Sequence, residues 1–167
     1  ILFYACSYIG AIANIMYVTA ENKELHEELC KTESVLYVTL NALWEKRKEA
    51  LTGTSVKNVL LLSVGEEADP VTKNVIKWKE RKLKDNSKGI LYWSQINCAI
   101  SGALPEVNNG ELPVAMIYTS GTTGKSKAVI LTNRMLNALV MQYQKAGISL
   151  KRGDVFMDSI PQFVAFG

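Results

Sequence analysis

PVAMIYTSGTTGKSKAVILTNRMLNALVMQYQKAG, residues Pro113 to Gly147, runs through three kinds of sequence in succession. Val114 to Tyr118 is apolar, β-branched or aromatic, and of strand length; Ala128 to Leu131 is apolar again. Between them, Thr119 to Lys127 holds five hydroxyl residues, two glycines and two lysines in nine positions. After them, Thr132 or Asn133 is placed to cap a helix ending at Gly147. That helix gathers Met135, Leu136, Leu139, Val140 and Tyr143 on one apolar face.

The composition of the loop points to phosphate. Gly121 and Gly124 permit close backbone approach and positive φ, so successive N–H groups can converge on an anion. The hydroxyls add short donors, and Lys125 and Lys127 add positive charge. A solvent-exposed hairpin turn draws on the same residue types, but nine of them in a row between two apolar strands exceed what a turn needs.

Two phosphate-binding designs compete. A Walker loop reads GxxxxGK[ST], and Gly124-Lys125-Ser126 matches its end, but its first glycine would fall on Thr119. It should also lead directly into a helix, whereas Ala128-Val129-Ile130-Leu131 has the character of a strand. A Walker-type nucleotidase fails on both counts.

Working outward, the first hundred residues alternate helical and strand patterns. ILFYACSYIGAIANIMYV begins as a small-residue helix broken at Gly10, and Thr19 is placed to cap the next. AENKELHEELCKTE puts Leu25 and Leu29 one turn apart, with His26 as a solvated helix residue. SVLYVTL has strand character, ALWEKRKEAL is polar enough for a surface helix, and NVLLLSV is the continuous apolar run of a strand buried on both faces. Between Val71 and Lys88, the residues Lys77, Lys79, Arg81, Lys82, Lys84 and Lys88 gather around Trp78. Such a cluster can touch phosphates or an anionic membrane surface, although a solvated helix face is the commoner outcome. ILYWSQI and ALPEVNNGELP read as one long connection. Strands alternating with helices predict an α/β fold with a largely parallel sheet flanked by helices.

The 167 residues are 48% hydrophobic and 21% charged, with net charge +3. These values exclude a disordered tail or a disulfide-dense miniprotein, and the charge is too small to imply nucleic acid. Cys6, Cys30 and Cys98, with one histidine, form no metal or disulfide pattern and suit a reducing, cytoplasmic setting. The first 20 residues carry no charge, but their polar residues favour a buried helix and strand over a membrane span.

YTSGTTGKSK followed by AVILTN resembles the signature YTSGTTGxPKGV-LTH of the adenylate-forming (AMP-binding) superfamily, which includes acyl-CoA synthetases, adenylation domains of peptide synthetases and luciferases. Ser126 replaces the usual proline, Ala128 the usual glycine and Asn133 the frequent histidine. LFYACSYIGAIAN is similar to the family's early small-residue helix. GDVFMDSIPQFVAFG is similar to a PLFHxxG segment, with Pro161, Phe163 and Gly167 in register and Val164 in place of histidine.

The resemblance implies part of the large N-terminal domain of such an enzyme, over residues 1–167, truncated at both ends and without a complete second domain. It implies ATP-dependent activation of a carboxylic acid, by preference a fatty acid, to an acyl-adenylate, and then transfer to coenzyme A. The alternatives it leaves are a catalytically dead nucleotide-binding remnant and an adenylation domain of the peptide-synthetase type. Thr119, Ser120, Gly121, Thr122, Thr123, Gly124, Lys125 and Lys127 would hold the ATP phosphates, with Lys127 as the catalytic cation. Thr119 would lie near magnesium, and Phe163 and Gly167 near the acyl pocket. The expected partners are a small carboxylic acid, ATP and coenzyme A, with no nucleic acid, no membrane span and room for peripheral membrane contact. The region alone is expected to be inactive.

Overall fold

An uninterrupted apolar strand needs cover on both faces, and Asn58–Leu62 receives it: Val59, Leu60 and Leu61 are all buried. The computed structural model describes residues 2–65, 68–80, 85, 87–96, 109–119, 127–149, 151–155 and 157, without the side chains of residues 77, 79 and 80. The chain divides into two compact units, Ala20–Ile100 and the pair Ile1–Thr19 with Ser101–Gly167.

In the Ala20–Ile100 unit, helix α2 (Asn22–Thr32) leads to strand β2 (Leu36–Leu40), helix α3 (Asn41–Arg47) and a 3-10 turn, Lys48–Leu51. Strand β3 (Asn58–Leu62), helix α4 (Pro70–Glu80) and strand β4 (Ile90–Tyr92) follow. The three strands form a parallel sheet in the order β2-β3-β4, with Leu36 opposite Asn58 and Val59 opposite Ile90. On one face, Val59 and Leu61 pack with Trp44 of α3, and Tyr37, Leu51, Val56, Ile90 and Tyr92 surround them.

Four sequence expectations change here. ILYWSQI is not a plain connection, because Ile90–Tyr92 pairs with β3 as a third strand. Gly89 makes this possible: its φ is +92°, its carbonyl accepts from Val59 N–H at 2.8 Å, and an added Cβ would lie 2.7 Å from the Lys57 carbonyl. Nor is α3 solvated all round: Ala42, Glu45 and Lys46 are exposed, but Asn41, Trp44 and Arg47 are buried. Arg47 is accommodated because its guanidinium donates to the Ala20 carbonyl and to Asn22 Oδ1. Thr19 does not cap α2, whose N-cap is Glu21 without a side-chain bond. His26 is not simply solvated: its Nδ1 lies 2.9 Å from the Ala50 carbonyl, tying α2 to the 3-10 turn.

In the other unit, helix α1 (Leu2–Tyr8) ends at Gly10, where φ is +74°. Strand β1 (Ala13–Ile15) pairs in parallel with β5 (Pro113–Thr119), which pairs antiparallel with β6 (Lys127–Thr132). Helix α5 (Asn133–Lys145) follows directly. Three of the four pairings among the described residues are thus parallel, as an α/β reading predicts. The α5 sequence forms a helix as expected, yet none of its residues is buried.

Candidate functional site

The site is built on the β5–β6 hairpin. β5 is the central strand of its sheet, with Val114, Ala115, Ile117 and Tyr118 buried. Its register fixes where the loop must begin and end: Thr119 pairs with Lys127, Tyr118 with Ala128, and Ile117 with Val129. The Thr119 hydroxyl donates across the first of these pairs to the Lys127 carbonyl, at 3.4 Å. Seven residues, 120 to 126, therefore join two chain ends that the ladder holds side by side.

The loop is followed by a strand, not by a helix, which removes the Walker reading on geometric grounds. Lys127, first residue of β6, is exposed and belongs to none of the ion pairs among the described residues. Its ammonium is available to an anion. Thr119 is partly buried at the same neck. It keeps hydroxyl lone pairs while donating its proton to Lys127, so it can still offer oxygen to a hard cation.

Of the expected site residues, the structure brings Thr119 and Lys127 together. Ser120, Gly121, Thr122, Thr123, Gly124 and Lys125 lie outside the described residues, as do Phe163 and Gly167. No group of three His, Cys, Asp or Glu that could hold a metal occurs among the described residues.

The expected cap Thr132 and several residues that sequence reasoning passed over hold the hairpin in place. Tyr17 donates its hydroxyl proton to the Tyr118 carbonyl at 3.3 Å, anchoring the last turn of β5 before the loop. Thr132 ends β6 and caps α5, its Oγ1 accepting from Met135 N–H at 3.3 Å. Ser7 donates to Asn133 Oδ1 at 3.3 Å, and Arg134 is tied to Glu111 by a salt bridge and to the Gly110 carbonyl through its backbone N–H at 2.9 Å. Glu111 holds the Arg134 guanidinium above its ordinary pKa. The Thr132 cap is legible locally; the Tyr17 contact spans 101 residues and leaves no local sign.

The whole chain, residues 1–167, matches the family model described as AMP-binding enzyme. It is 26% identical to 4-coumarate--CoA ligase 2 of Oryza sativa subsp. japonica over 99% of this chain and 28% of that protein. It is 28% identical to an acetyl-coenzyme A synthetase of Helicobacter pylori over 79% of this chain and 20% of that protein. The chain therefore spans less than a third of the length of these relatives. Among solved structures, a mutant form of coronafacic acid ligase from Pectobacterium brasiliense superposes with a TM-score of 0.61 at 14% identity, covering 86% of this chain and 24% of that one. A long-chain-fatty-acid-CoA ligase from Archaeoglobus fulgidus gives 0.54 at 24% identity, covering 87% and 25%. The fold, the hairpin and the full-length family match agree, and the chain belongs to the AMP-binding enzyme family.

Proposed function

We propose that this chain supplies the phosphate-holding part of an AMP-forming acid–CoA ligase, acting within a protein longer than the 167 residues. The observation that carries the reading is the hairpin neck: Thr119 and Lys127 bracket a loop of glycines and hydroxyls, and Lys127 is exposed.

In this reading the substrate carboxylate attacks the α-phosphorus of ATP and pyrophosphate departs. The residues from Thr119 to Lys127, namely Thr119, Ser120, Gly121, Thr122, Thr123, Gly124, Lys125 and Lys127, hold the β- and γ-phosphates. Such catalysis is chiefly positioning and charge neutralisation. Lys127 neutralises charge that grows on the leaving pyrophosphate. A magnesium ion bound to the phosphates would supply further neutralisation, and the Thr119 hydroxyl is the oxygen this chain offers it. The thiol of coenzyme A then takes the acyl group and releases AMP. Relatives acting on 4-coumarate and acetate, by their names, and a long-chain-fatty-acid-CoA ligase sharing the fold support an acid–CoA ligase. A fatty acid is our preferred substrate, with Phe163 and Gly167 beside it, and the thiols of Cys6 and Cys30 suit a cytoplasmic setting.

A second reading is favoured by the short coverage of the relatives: by itself the chain is a nucleotide-binding portion without turnover. Adenine and ribose recognition would then come from outside these residues. Both readings meet one experiment, pyrophosphate exchange in a longer protein carrying this region. Lys127→Ala or Thr119→Val is expected to slow exchange roughly ten- to a hundredfold, as losing one charge-assisted contact costs ~1.5–3 kcal/mol. Wild-type exchange in both variants would refute the phosphate assignment. Exchange by residues 1–167 alone would refute the second reading.

A further inference from the structure

Strand β1 accompanies β5 only part of the way to the loop. Its last pair is Ile15 with Ile117, two positions short of Thr119. Beyond that point a side chain takes over. Tyr17, two residues past the end of β1, donates its hydroxyl proton to the Tyr118 carbonyl at 3.3 Å. Tyr118 is buried and Tyr17 half-buried, which shields this bond from water.

The Tyr118 carbonyl belongs to the peptide unit whose other half is the Thr119 N–H. No peptide bond among the described residues is cis, and in a trans unit the C=O and N–H point opposite ways. Because β5 lies between β1 and β6, a carbonyl held from the β1 side turns the Thr119 N–H toward β6. There Thr119 faces Lys127, and its hydroxyl donates to the Lys127 carbonyl. Tyr17 thus acts on the plane of the peptide unit that opens the loop.

The same N-terminal stretch makes a second bond of this kind at the other end of the hairpin. Ser7 of α1 donates its hydroxyl proton to Asn133 Oδ1, also at 3.3 Å. Asn133 follows Thr132, which pairs with Pro113 at the end of the ladder far from the loop. Ala128, opposite Tyr118, and Asn133 are five residues apart, so at about 3.3 Å per residue the two bonds meet the hairpin roughly 16 Å from each other.

We infer that Tyr17 is a positioning residue for the phosphate-holding loop. Its hydroxyl sets the angle at which Thr119 and Lys127 meet, and with it the place of the Lys127 ammonium relative to the leaving pyrophosphate. The inference rests on the phosphate-holding role proposed for this hairpin. Ser7 ties down the same hairpin away from the mouth of the loop, so its bond serves stability alone.

The test is pyrophosphate exchange, with urea unfolding alongside, in a longer protein carrying this region. Tyr17→Phe keeps the ring and removes only the donated proton. Exchange is expected to fall roughly three- to tenfold, the scale of one neutral hydrogen bond. Ser7→Ala should lower the urea midpoint about as much as Tyr17→Phe, yet leave exchange within about twofold of wild type. Tyr17→Phe combined with Thr119→Val should lose less than the product of the two single losses, because both loosen one neck. Equal slowing by Ser7→Ala and Tyr17→Phe would overturn the inference, since general loosening would then account for both. A full product of losses in the double variant would also overturn it, as would wild-type exchange in Tyr17→Phe beside a slowed Lys127→Ala. Wild-type exchange in both Lys127→Ala and Thr119→Val would instead remove the phosphate-holding role itself, and this inference with it.

Discussion

In α2, Leu25 and Leu29 are each 3% exposed; in α5, Met135, Leu139, Val140 and Tyr143 lie between 45% and 56%. Both helices carry the 3.6-residue spacing of an amphipathic helix. The difference is in what meets the stripe. The 3-10 turn Lys48–Leu51 packs on α2, and the His26–Ala50 bond ties the two together, whereas α5 contacts chiefly the strand it grows from. Periodicity reports which residues share a face; it carries no information on whether that face is covered.

The largest effect should separate a covered core from an open stripe. Leu61, 1% exposed beside Trp44, should cost ~2–5 kcal/mol on change to alanine, and Leu139→Ala under about 0.5 kcal/mol. Urea unfolding of the two variants checks this, and similar costs would break the comparison. A smaller effect isolates local stabilisation. With no buried residue, α5 leans on its cap, so Thr132→Ala should loosen it by ~1 kcal/mol, read as faster amide exchange over residues 135–137. Helix α2 has no side-chain cap, and Glu21→Ala should leave its exchange nearly unchanged.

The smallest effect is acidic. Asp85 is held to about 2, chiefly by Ser87 and then by the Trp44 indole N–H. A carboxylate lowered in the folded state stabilises above its unfolded pKa of about 4. That contribution should fade as pH falls from about 4 towards 2. Asp85 is partly exposed, so screening keeps it small. Asp85→Asn should flatten this part of the pH–stability curve, and an unchanged slope would remove Asp85 from the account.

The parts legible in sequence are those carried by local pattern. Asn58–Leu62 showed itself by an unbroken apolar run, β5 and β6 by the apolar stretches on either side of residues 120–126, and α5 by Thr132 and the glycine at position 147, where φ is +84°. Ile90–Tyr92 did not, because three residues carry no period and its pairing depends on the Gly89 turn. α3 hid its burial behind polar side chains: Arg47 is interior because a carbonyl oxygen 27 residues away and an amide oxygen 25 residues away receive its protons. At the site, Thr119 and Lys127 were identified by motif, but their direct pairing and the Tyr17 anchor are products of strand register.

The same register sets an order of assembly. The hairpin neck joins residues 8 apart in sequence, whereas the Tyr17 contact closes a span of 101. Loop-closure entropy makes the longer span costlier by ~2 kcal/mol for an unstructured chain. A hairpin closes in about 1–10 μs, while parallel pairing at long range is slow. The Ala20–Ile100 unit lies wholly inside that long span, so folding it first shortens the chain that β1 must close to reach β5. The mouth of the loop from Thr119 to Lys127 can therefore exist before the sheet that supports it is complete.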